Sequence, residues 1–494
     1  MINRIISAAI GKNSASVTTS ANNEELFWLI GDSWVQGSNN TTGPGPDATG
    51  KGYYFRTSDN TIQPITTTDI PGAVDGSPWP QFCIDYFNST GTKAVVIPNG
   101  IGGTKFFDTW NGFSATYTTA KQDAIDAMAV AGVTRLKWIL ISCGINDARS
   151  GDDINTINQR IGNLFYQLNV DFPNTNIGVV LLGTATTGGS RIPQVRGFVK
   201  EQANNYTKVH ILCQAAPLEP WGFYGADGIH LTQTGNNQLG TMINRYIQLP
   251  TTYSKWTRTI ANSYYSVLSS QRMNAIENWL ATMGSQYFDL VGYFKMKVPV
   301  KNDVYVDWAL LTIPTDDGFD FTANSFITTD TNKSIRMNIS PNSVIYRYTA
   351  SDFGVGAATY DRKGAFGTST KYLVGASSGS NVLGLAETST GVMQYFAYDN
   401  GTASTGTGGF ADNTEYGVMR VGTLKSRVVN GVVTHTESIA AGAALTSGLE
   451  VGARYTAGPT LFLNTEIAYF WWHKASTWNT ATFYSANQTL ESQW

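Results

Sequence analysis

Residues Phe27–Gly37 read FWLIGDSWVQG, in which four apolar residues run into glycine, aspartate and serine. An apolar run that glycine cuts off predicts a short buried strand with a turn directly behind it. That turn places Ser33 at the end of the strand, at the edge where open α/β sheets hold their functional groups. A Gly-Asp-Ser triplet is also an ordinary strand-to-helix turn, so its meaning depends on the rest of the chain.

Composition places the chain among large and weakly charged proteins. Its 494 residues exceed one ordinary hydrophobic core, so we expect two or three domains. Charged residues make up 14% of the chain and the net charge is -3, so Thr, Ser, Asn, Gln and Gly must cover much of the surface. This composition is typical of β-rich secreted, cell-surface or virion proteins. Because no run of Lys and Arg occurs, we expect no binding to nucleic acid.

Cysteine usage and hydropathy argue against several kinds of site. Cys83, Cys143 and Cys213 lie far apart in or near apolar segments, which predicts small buried side chains; the alternative is one disulfide and a free thiol. The sequence has no Cys/His spacing of a metal site, and we expect neither metal nor cofactor. No apolar stretch reaches bilayer length, so we expect no membrane insertion. Met1–Ile10 is too short in its apolar part for a secretory signal, and we interpret residues 1–24 as a docking segment.

Residues 25–250 alternate between strand-like and helix-like patterns. This alternation predicts a mostly parallel sheet with helices on both faces. Residues 38–78 show little periodicity and are interpreted as a long insertion. The predicted strands are 27–30, 93–97, 136–142, 176–182 and 209–212, and the predicted helices are 80–86, 118–130, 154–169 and the later part of 226–244.

The pattern changes near residue 250. Residues 271–283 have the apolar spacing of a connecting helix, and we interpret 251–284 as a helical linker. Beyond it, short segments of alternating apolar and polar residues predict a β-sandwich over 285–494, ending in a short helix at 478–494. Asn430-Gly431 lies between β-branched pairs and predicts a two-residue hairpin. The other predicted strands are 292–300, 303–311, 334–339, 343–348, 372–375, 392–398, 449–455 and 466–472.

The first half contains four separated groups of polar residues and glycines. Three of them follow a predicted strand, and the fourth lies near the end of this half. Ser33 follows the first strand, Asn99–Thr104 the second and Asn146 the third, and Asp227 and His230 come last. In a parallel sheet, residues behind successive strands share one edge, where they can converge. Acyl transfer to serine requires a nucleophile, a base, an acid that orients the base, and donors for an oxyanion. These groups supply one of each, with the Ser33 N–H as a further donor.

These groups resemble the four sequence blocks of the SGNH (GDSL-type) hydrolases, in the same order. The blocks are Gly31-Asp32-Ser33, Gly102-Gly103, Gly144-Ile145-Asn146-Asp147 and Asp227-Gly228-Ile229-His230. The resemblance implies a flavodoxin-like three-layer α/β sandwich over about 25–250. It implies that Ser33 is the nucleophile, His230 the base and Asp227 its orienting acid, with Gly103 and Asn146 as oxyanion donors beside the Ser33 N–H. Gly100 and Gly102 compete with Gly103 for that role, and Asp147 is interpreted as a structural loop acid.

The second half, from about 285 to 475, resembles the concanavalin A/laminin-G-like jelly roll. The resemblance lies in the strand pattern and in the Asn430-Gly431 hairpin. It implies an all-β domain that binds glycan, and an equal alternative is a structural or trimerising role.

Together these features predict a serine esterase that removes acyl groups, most simply O-acetyl, from a carbohydrate. We expect a phage tail or virion protein, or an extracellular one, that acts on a host surface polysaccharide. The predicted partners are an acylated glycan, other virion proteins and further copies of the chain in a homotrimer. The alternatives are a secreted bacterial polysaccharide esterase and a non-catalytic receptor-binding or adhesion protein on an esterase fold.

Overall fold

The fold was analysed in a computed structural model of the chain. The first half and the connecting helices are described almost throughout, and the β-rich second half is described mainly through its strands. The described residues are 23–37, 45–66, 70, 76–185, 189–296, 298, 300–311, 314–316, 320–321, 327–329, 335–337, 352–362, 371–378, 381–388, 390, 392–397, 404–405, 410–411, 413–421, 423–438, 449–451, 454–455, 459–460, 465–474 and 477–494. The predicted docking segment therefore lies outside the described residues, apart from 23–24.

The first half is an α/β domain built on a seven-stranded sheet. Its strands are ordered β3-β2-β4-β1-β5-β6-β7, and every neighbouring pair is parallel except the β2–β3 hairpin. The strands are β1 (Glu24–Gly31), β2 (Gly52–Arg56), β3 (Thr61–Pro64), β4 (Lys93–Gly100), β5 (Trp138–Ser142), β6 (Asn176–Leu181) and β7 (Val209–Gln214). The helices are α1 (Ser33–Gln36), α2 (Trp79–Thr90), α3 (Ala115–Ala131), α4 (Ile145–Arg149), α5 (Ile154–Asp171), α6 (Ile192–Asn204) and α7 (Gln233–Gln248).

Both faces of this sheet are buried, because alternate residues of each strand enter different cores. On β1, Phe27 and Leu29 pack with α2 and α7, whereas Leu26, Trp28 and Ile30 pack with α3, α5 and α6. This division explains why the strand reads as a continuous apolar run. The predicted mostly parallel sheet with helices on both faces is therefore confirmed.

Two parts of the first-half prediction were wrong in detail. The insertion predicted over 38–78 contains the hairpin β2–β3, whose first strand pairs with β4 at the edge of the sheet. Helix α6 was not predicted, because proline and glycine interrupt its apolar pattern. Tertiary pairing and packing thus override weak local signals at both places.

The connecting segment forms two helices, α8 (Lys255–Asn262) and α9 (Ser270–Met283), and the second closely matches its prediction. The buried side chains Ile260, Ile276 and Trp279 belong to one continuous core with the first sheet and the β-rich half. The Trp279 indole N–H donates to Asn487 Oδ1 over 2.9 Å, on the final helix α10 (Thr480–Gln493). The C-terminal helix, predicted over 478–494, is therefore confirmed and packs on the connecting helix.

The second half is β-rich and forms two sheets. One is ordered β10-β11-β24-β13-β18-β19-β20, with β8 also on β24; the other is ordered β17-β16-β15-β14-β21-β12-β9, with β22 beside β14 and β23 beside β22. Their strands are β8 (Leu290–Lys295), β9 (Pro314–Asp316), β10 (Asp320–Phe321), β11 (Ile327–Thr329), β12 (Ile335–Met337), β13 (Asp352–Arg362), β14 (Lys371–Ser378), β15 (Asn381–Glu387), β16 (Met393–Ala397), β17 (Ser404–Thr405), β18 (Thr414–Val421), β19 (Leu424–Val429), β20 (Val432–Ser438), β21 (Leu449–Val451), β22 (Arg454–Tyr455), β23 (Pro459–Thr460) and β24 (Thr465–His473).

The predicted hairpin at Asn430-Gly431 is confirmed, since β19 and β20 pair across these two residues, both at positive φ. The strand predicted at 303–311 is wrong. That segment holds a 3-10 helix, Lys301–Tyr305, and turns around Asp307, whose carboxylate accepts backbone N–H groups from Tyr293, Ala309 and Leu311. The strand predicted at 343–348 lies outside the described residues.

Candidate active site

The serine of the Gly-Asp-Ser turn stands at the carboxyl end of β1. Asp32 caps the first turn of α1, since its Oδ1 accepts the Trp34 N–H over 3.1 Å. The Asp32 N–H donates to the Ser142 carbonyl at the end of β5 over 3.0 Å. Ser33 is therefore fixed between a buried strand and a helix start, with its side chain at the sheet edge.

Ser33, His230 and Asp227 form one hydrogen-bonded chain. Ser33 Oγ lies 2.8 Å from His230 Nε2, and His230 Nδ1 lies 2.6 Å from Asp227 Oδ2. The His230 side chain is 13% exposed and that of Asp227 is 43% exposed. With Asp227 ionised, Nδ1 carries the ring proton and Nε2 is free to accept the serine proton. The arrangement can therefore transfer a proton from the Ser33 hydroxyl to the imidazole.

Asp227 is held in place by its own turn. Its Oδ1 accepts the backbone N–H groups of Ile229 and His230, each over 3.0 Å. Burial alone would raise the pKa of Asp227, but the His230 side chain and these two N–H groups outweigh it, and the net pKa is lowered. The carboxylate therefore stays ionised where it faces His230.

The segments that follow β1, β4 and β5 converge through hydrogen bonds. The Ile101 N–H donates to the Gly31 carbonyl over 3.0 Å. Asn146 donates from Nδ2 to the Thr104 carbonyl over 3.1 Å. Gly103 adopts a left-handed conformation with φ of 77° and is exposed. Among the described residues, neither the Ser33 N–H nor the Gly103 N–H meets an acceptor, so both are available to a ligand.

Two residues of this loop system were not singled out from the sequence. Gln36 Oε1 accepts the Gly102 N–H over 2.7 Å, which ties the glycine loop to helix α1 and engages one of the competing donors. Thr104 accepts from Asn146 through its carbonyl and from the Trp110 indole N–H through its hydroxyl, over 2.9 Å. Neither residue has a distinctive spacing from Ser33, so a single sequence holds no signal for them.

Two buried carboxyl groups lie beneath the serine turn. Asp147 accepts the backbone N–H groups of Phe106 and Phe107 over 2.8 and 2.9 Å, in agreement with its interpretation as a structural loop acid. Burial raises the pKa of Asp147 to about 6, although these two bonds lower it. Burial raises the pKa of Asp32 to about 7, and the charge of Asp147 adds to that increase. Both shifts favour the neutral acid in the folded protein.

We expect Asp32→Asn to flatten the pH dependence of stability. The pKa of Asp32 rises from 3.8 to about 7 on folding, so the folded state binds its proton more tightly and stability falls as pH rises through this window. The ceiling on that loss is roughly 4 kcal/mol. Urea unfolding near pH 5 and near pH 8 tests this. The free energy of unfolding should change less between the two pH values in the variant than in the wild type, and an equal change in the two proteins would contradict the expectation.

We expect Gly31→Ala to destabilise the fold by about 3 kcal/mol or more, through overpacking and positive φ together. Gly31 has φ of 150°, and an added Cβ would lie 1.9 Å from the Ser142 carbonyl oxygen. Chemical denaturation measures the effect. Gly151→Ala is the matched control, since nothing lies within 4 Å of a Cβ there. Equal unfolding midpoints for the two variants would contradict the expectation.

The opening beside Ser33 is small. It measures about 10 Å³ and is lined by Trp34, Gly37, His230, Leu231 and Asn236 in addition to the serine. No group of three His, Cys, Asp or Glu side chains in the described part of the chain is arranged to hold a metal ion. Within the same residues no helix has the length and apolarity that a membrane span requires.

His210 and His473 take part in packing contacts, whereas His435 lies on the surface. His210 Nδ1 lies 3.1 Å from the Tyr246 hydroxyl, and His473 stacks against Trp478 with ring centroids 3.7 Å apart. His435 is exposed on β20. All three cysteines are buried and none forms a disulfide with another described residue, which confirms their prediction as small buried side chains.

Comparison with known proteins finds a family model that matches much of the first half. Residues 59–248 match the family model described as carbohydrate esterase, sialic acid-specific acetylesterase. The match includes Gly103, Asn146, Asp227 and His230 and begins after Ser33. It supports hydrolysis of ester bonds on a carbohydrate. No protein with a curated description matches the chain.

Solved structures match parts of the chain at low similarity. A protein from Arabidopsis thaliana is 17% identical over 44% of this chain and 96% of its own, with a TM-score of 0.34. Trypanosoma rangeli sialidase in complex with 2,3-difluorosialic acid is 13% identical over 43% of this chain and 38% of its own, with a TM-score of 0.34. A botulinum neurotoxin type C structure is 9% identical over 42% of this chain and 53% of its own, with a TM-score of 0.33. Scores this low bear on neither the fold nor the activity of this chain. The resemblance to SGNH hydrolases is nevertheless confirmed by the family match, since residues 59–248 are similar to the carbohydrate esterase family of sialic acid-specific acetylesterases.

Proposed function

We propose that this protein is a serine esterase that removes O-acetyl groups from a carbohydrate. The observation that carries the proposal is the chain from Ser33 Oγ to His230 Nε2 at 2.8 Å and from His230 Nδ1 to Asp227 at 2.6 Å. Such a constellation is recognised by its geometry and roles rather than by its place in the sequence. The match of residues 59–248 to carbohydrate esterases supports the substrate class.

In the proposed reaction, Ser33 Oγ attacks the ester carbonyl carbon while its proton passes to His230 Nε2. The tetrahedral intermediate carries a negative oxygen, which accepts from the Ser33 and Gly103 N–H groups and from the Asn146 amide. The C–O bond to the sugar then breaks, and His230 returns the proton to the departing sugar hydroxyl. Water attacks the acyl-serine by the same route and gives up a proton to His230. The bond from the acyl carbon to Ser33 Oγ then breaks, His230 returns the proton to Oγ, and the acid product leaves and ionises to acetate.

The low charge content and the polar composition support an extracellular or virion setting, for which we propose a phage tail protein acting on host surface polysaccharide. In this setting the β-rich half binds glycan or anchors the enzyme among other virion proteins, and a homotrimer is the proposed assembly. A secreted bacterial polysaccharide esterase shares the same chemistry.

We also propose the finer architecture that the two resemblances imply. Among β1, β4, β5, β6 and β7, the spatial order β4-β1-β5-β6-β7 corresponds to the 2-1-3-4-5 order of flavodoxin-like sheets. The two mostly antiparallel sheets of the second half support a jelly-roll sandwich over 285–494.

The function is tested by acetate release from O-acetylated glycans. We expect the full chain to release acetate from O-acetylated sialic acid or O-acetylated polysaccharide, and to leave N-acetyl groups intact. Release from neither glycan, together with equal and negligible hydrolysis of p-nitrophenyl acetate by wild type and Ser33→Ala, would support the non-catalytic adhesion protein instead.

We expect Asn146→Ala to lower kcat by roughly 10²–10³, the usual cost of losing one oxyanion donor. The reason is that the Asn146 amide stabilises charge that develops only in the transition state, so KM should change little. Hydrolysis of p-nitrophenyl acetate measures both constants. The matched control is Asn163→Ala on helix α5. An unchanged kcat for Asn146→Ala would remove the residue from the oxyanion site.

A further inference from the structure

The described part of the chain contains a much larger cavity at the opposite edge of the α/β sheet. Its volume is about 810 Å³. Its walls include the amino ends of β5, β6 and β7, at Lys137, Asn176 and His210 respectively, and the carboxyl end of α7, at Gln248. Ser33 lies behind the carboxyl end of β1, and the strands are parallel. The cavity is therefore separate from the proposed esterase site.

The cavity is lined by four basic side chains and by no carboxylate. Lys137, Lys208, Lys255 and Arg258 face it, and no Asp or Glu is among its lining residues. Lys137 pairs with Glu25 over 2.8 Å, outside the lining. For the other three cations, no carboxylate among the described residues lies within ion-pair distance. A cleft lined by one sign of charge attracts ligands of the opposite sign.

Arg258 is the strongest individual indication of an anionic ligand. Its side chain is buried at 4% exposure, with the guanidinium 4.3 Å from the Tyr246 ring centroid. Nη2 donates to the Tyr246 carbonyl over 2.9 Å, whereas Nε is buried and has no hydrogen-bond partner. A buried guanidinium donor without an acceptor is costly. Arg258 thus places a buried positive charge with an unused N–H donor in the wall of the cavity.

The other cations contribute charge in different ways. Lys255 Nζ donates to the carbonyls of Ala203, Tyr206 and Val209, so its N–H groups are already occupied. Lys208 contacts the Pro173 carbonyl and keeps further donors. His210 adds no positive charge, because burial and the neighbouring Arg258 and Lys255 lower its pKa to about 3. Arg258 and Lys208 are thus the groups that can bind an anion directly.

The rest of the lining matches a hydroxyl-rich ligand. The half-buried ring of Tyr253 contributes an aromatic face. Most of the other lining residues carry amide or hydroxyl groups: Thr90, Asn176, Asn204, Thr207, Gln248 and Thr251. These groups hydrogen-bond hydroxyls in both directions, and an aromatic face packs on the C–H side of a sugar ring. From this lining, we propose that the cavity is a second, non-catalytic site for an acidic saccharide, whose carboxylate is bound by Arg258 and Lys208.

Ligand-observed NMR titration of the full chain tests the proposal. The probes are glucuronic acid, glucose as its neutral counterpart, and inorganic phosphate. We expect glucuronic acid to bind, glucose to bind at least about tenfold more weakly, and Lys208→Glu to raise the Kd for glucuronic acid about tenfold or more. Arg258→Gln should also raise the Kd for glucuronic acid, provided that this variant folds. Lys208 is partly exposed, so Lys208→Glu tests the proposal even if the Arg258 variant does not fold. Lys121→Glu, the same charge change outside the cavity, should leave the Kd unchanged.

Three outcomes would overturn the proposal: no binding of glucuronic acid, equal binding of glucuronic acid and glucose, or phosphate binding as tightly as the acidic sugar. An unchanged Kd in Lys208→Glu would overturn it as well. Because the two sites lie at opposite edges of the sheet, Ser33→Ala should bind glucuronic acid with wild-type affinity. The two proposals are therefore independent: the saccharide site can be correct when the esterase proposal is wrong, and the esterase proposal can be correct when the saccharide site is wrong.

Discussion

Ser33→Ala is expected to lower kcat for ester hydrolysis by roughly 10⁴–10⁶. Ser33 Oγ is the only atom of the proposed site that forms a bond to the acyl group, and its 2.8 Å contact with His230 Nε2 provides the route for its proton. Alanine removes the nucleophilic hydroxyl but retains the backbone N–H at position 33 and the fold. The measurement is acetate release from an O-acetylated glycan, with p-nitrophenyl acetate as the small reporter.

A double variant makes this expectation sharper. Residues that act as one unit are strongly non-additive, so Ser33→Ala/His230→Ala should be little slower than either single variant. His435→Ala is the matched histidine control, because His435 is exposed on β20, in the β-rich half of the chain. Wild-type turnover by Ser33→Ala would end the serine mechanism. Two independent, multiplying losses would show that the residues do not act together.

The proximity of Ser33 and His230 was predictable because parallel topology converts sequence order into spatial proximity. Ser33 and Asn146 each follow a buried strand, and the β1–β5 register brings Gly31 opposite Ser142. The long apolar runs of these strands are visible in the sequence, since both faces are buried. Residues nearly two hundred positions apart therefore meet at one edge. The order of the strands is enough for this prediction, and no knowledge of individual side-chain contacts is needed.

The rest depends on contacts that local sequence does not encode. Gln36 acts by accepting the Gly102 N–H, a bond between two loops that meet only in the folded chain. Strand β2 exists because it pairs with β4, although its own sequence has little periodicity. The alternation at 303–311 indicated a strand, yet the Asp307 carboxylate gathers three backbone N–H groups and bends the chain into a turn. A side chain that competes for backbone donors is invisible to apolar periodicity.

The large cavity illustrates the same limit. Lys208 and Arg258 are fifty positions apart, and neither lies in a run of basic residues that composition would reveal. They meet because β7 and α8 lie side by side, with the Thr259 hydroxyl donating to the Ile211 carbonyl. A chain with a net charge of -3 thus carries a locally positive cavity that its sequence average conceals.

Asp227→Asn is expected to lower kcat by roughly 10³–10⁴ while KM changes little. Asp227 Oδ2 accepts the Nδ1 proton of His230, which leaves Nε2 free to receive the serine proton. An asparagine that presents its amide N–H groups to Nδ1 favours the opposite tautomer. Nε2 would then carry a proton and donate to Ser33 instead of accepting from it. The 43% exposure of Asp227 places the expected loss below that of Ser33→Ala, since water partly substitutes for the carboxylate.

Asp227→Asn also distinguishes two roles of Asp227, the orientation of the His230 ring and the stabilisation of its own turn. The amide oxygen of the introduced asparagine can still accept the backbone N–H groups of Ile229 and His230, so the unfolding midpoint should stay close to that of the wild type. Asp227→Glu retains a carboxylate and should recover part of the lost kcat. A purely structural acid would give the reverse pattern, a lowered midpoint with kcat preserved in the folded fraction. That pattern would remove Asp227 from the proposed mechanism and leave His230 without its orienting group.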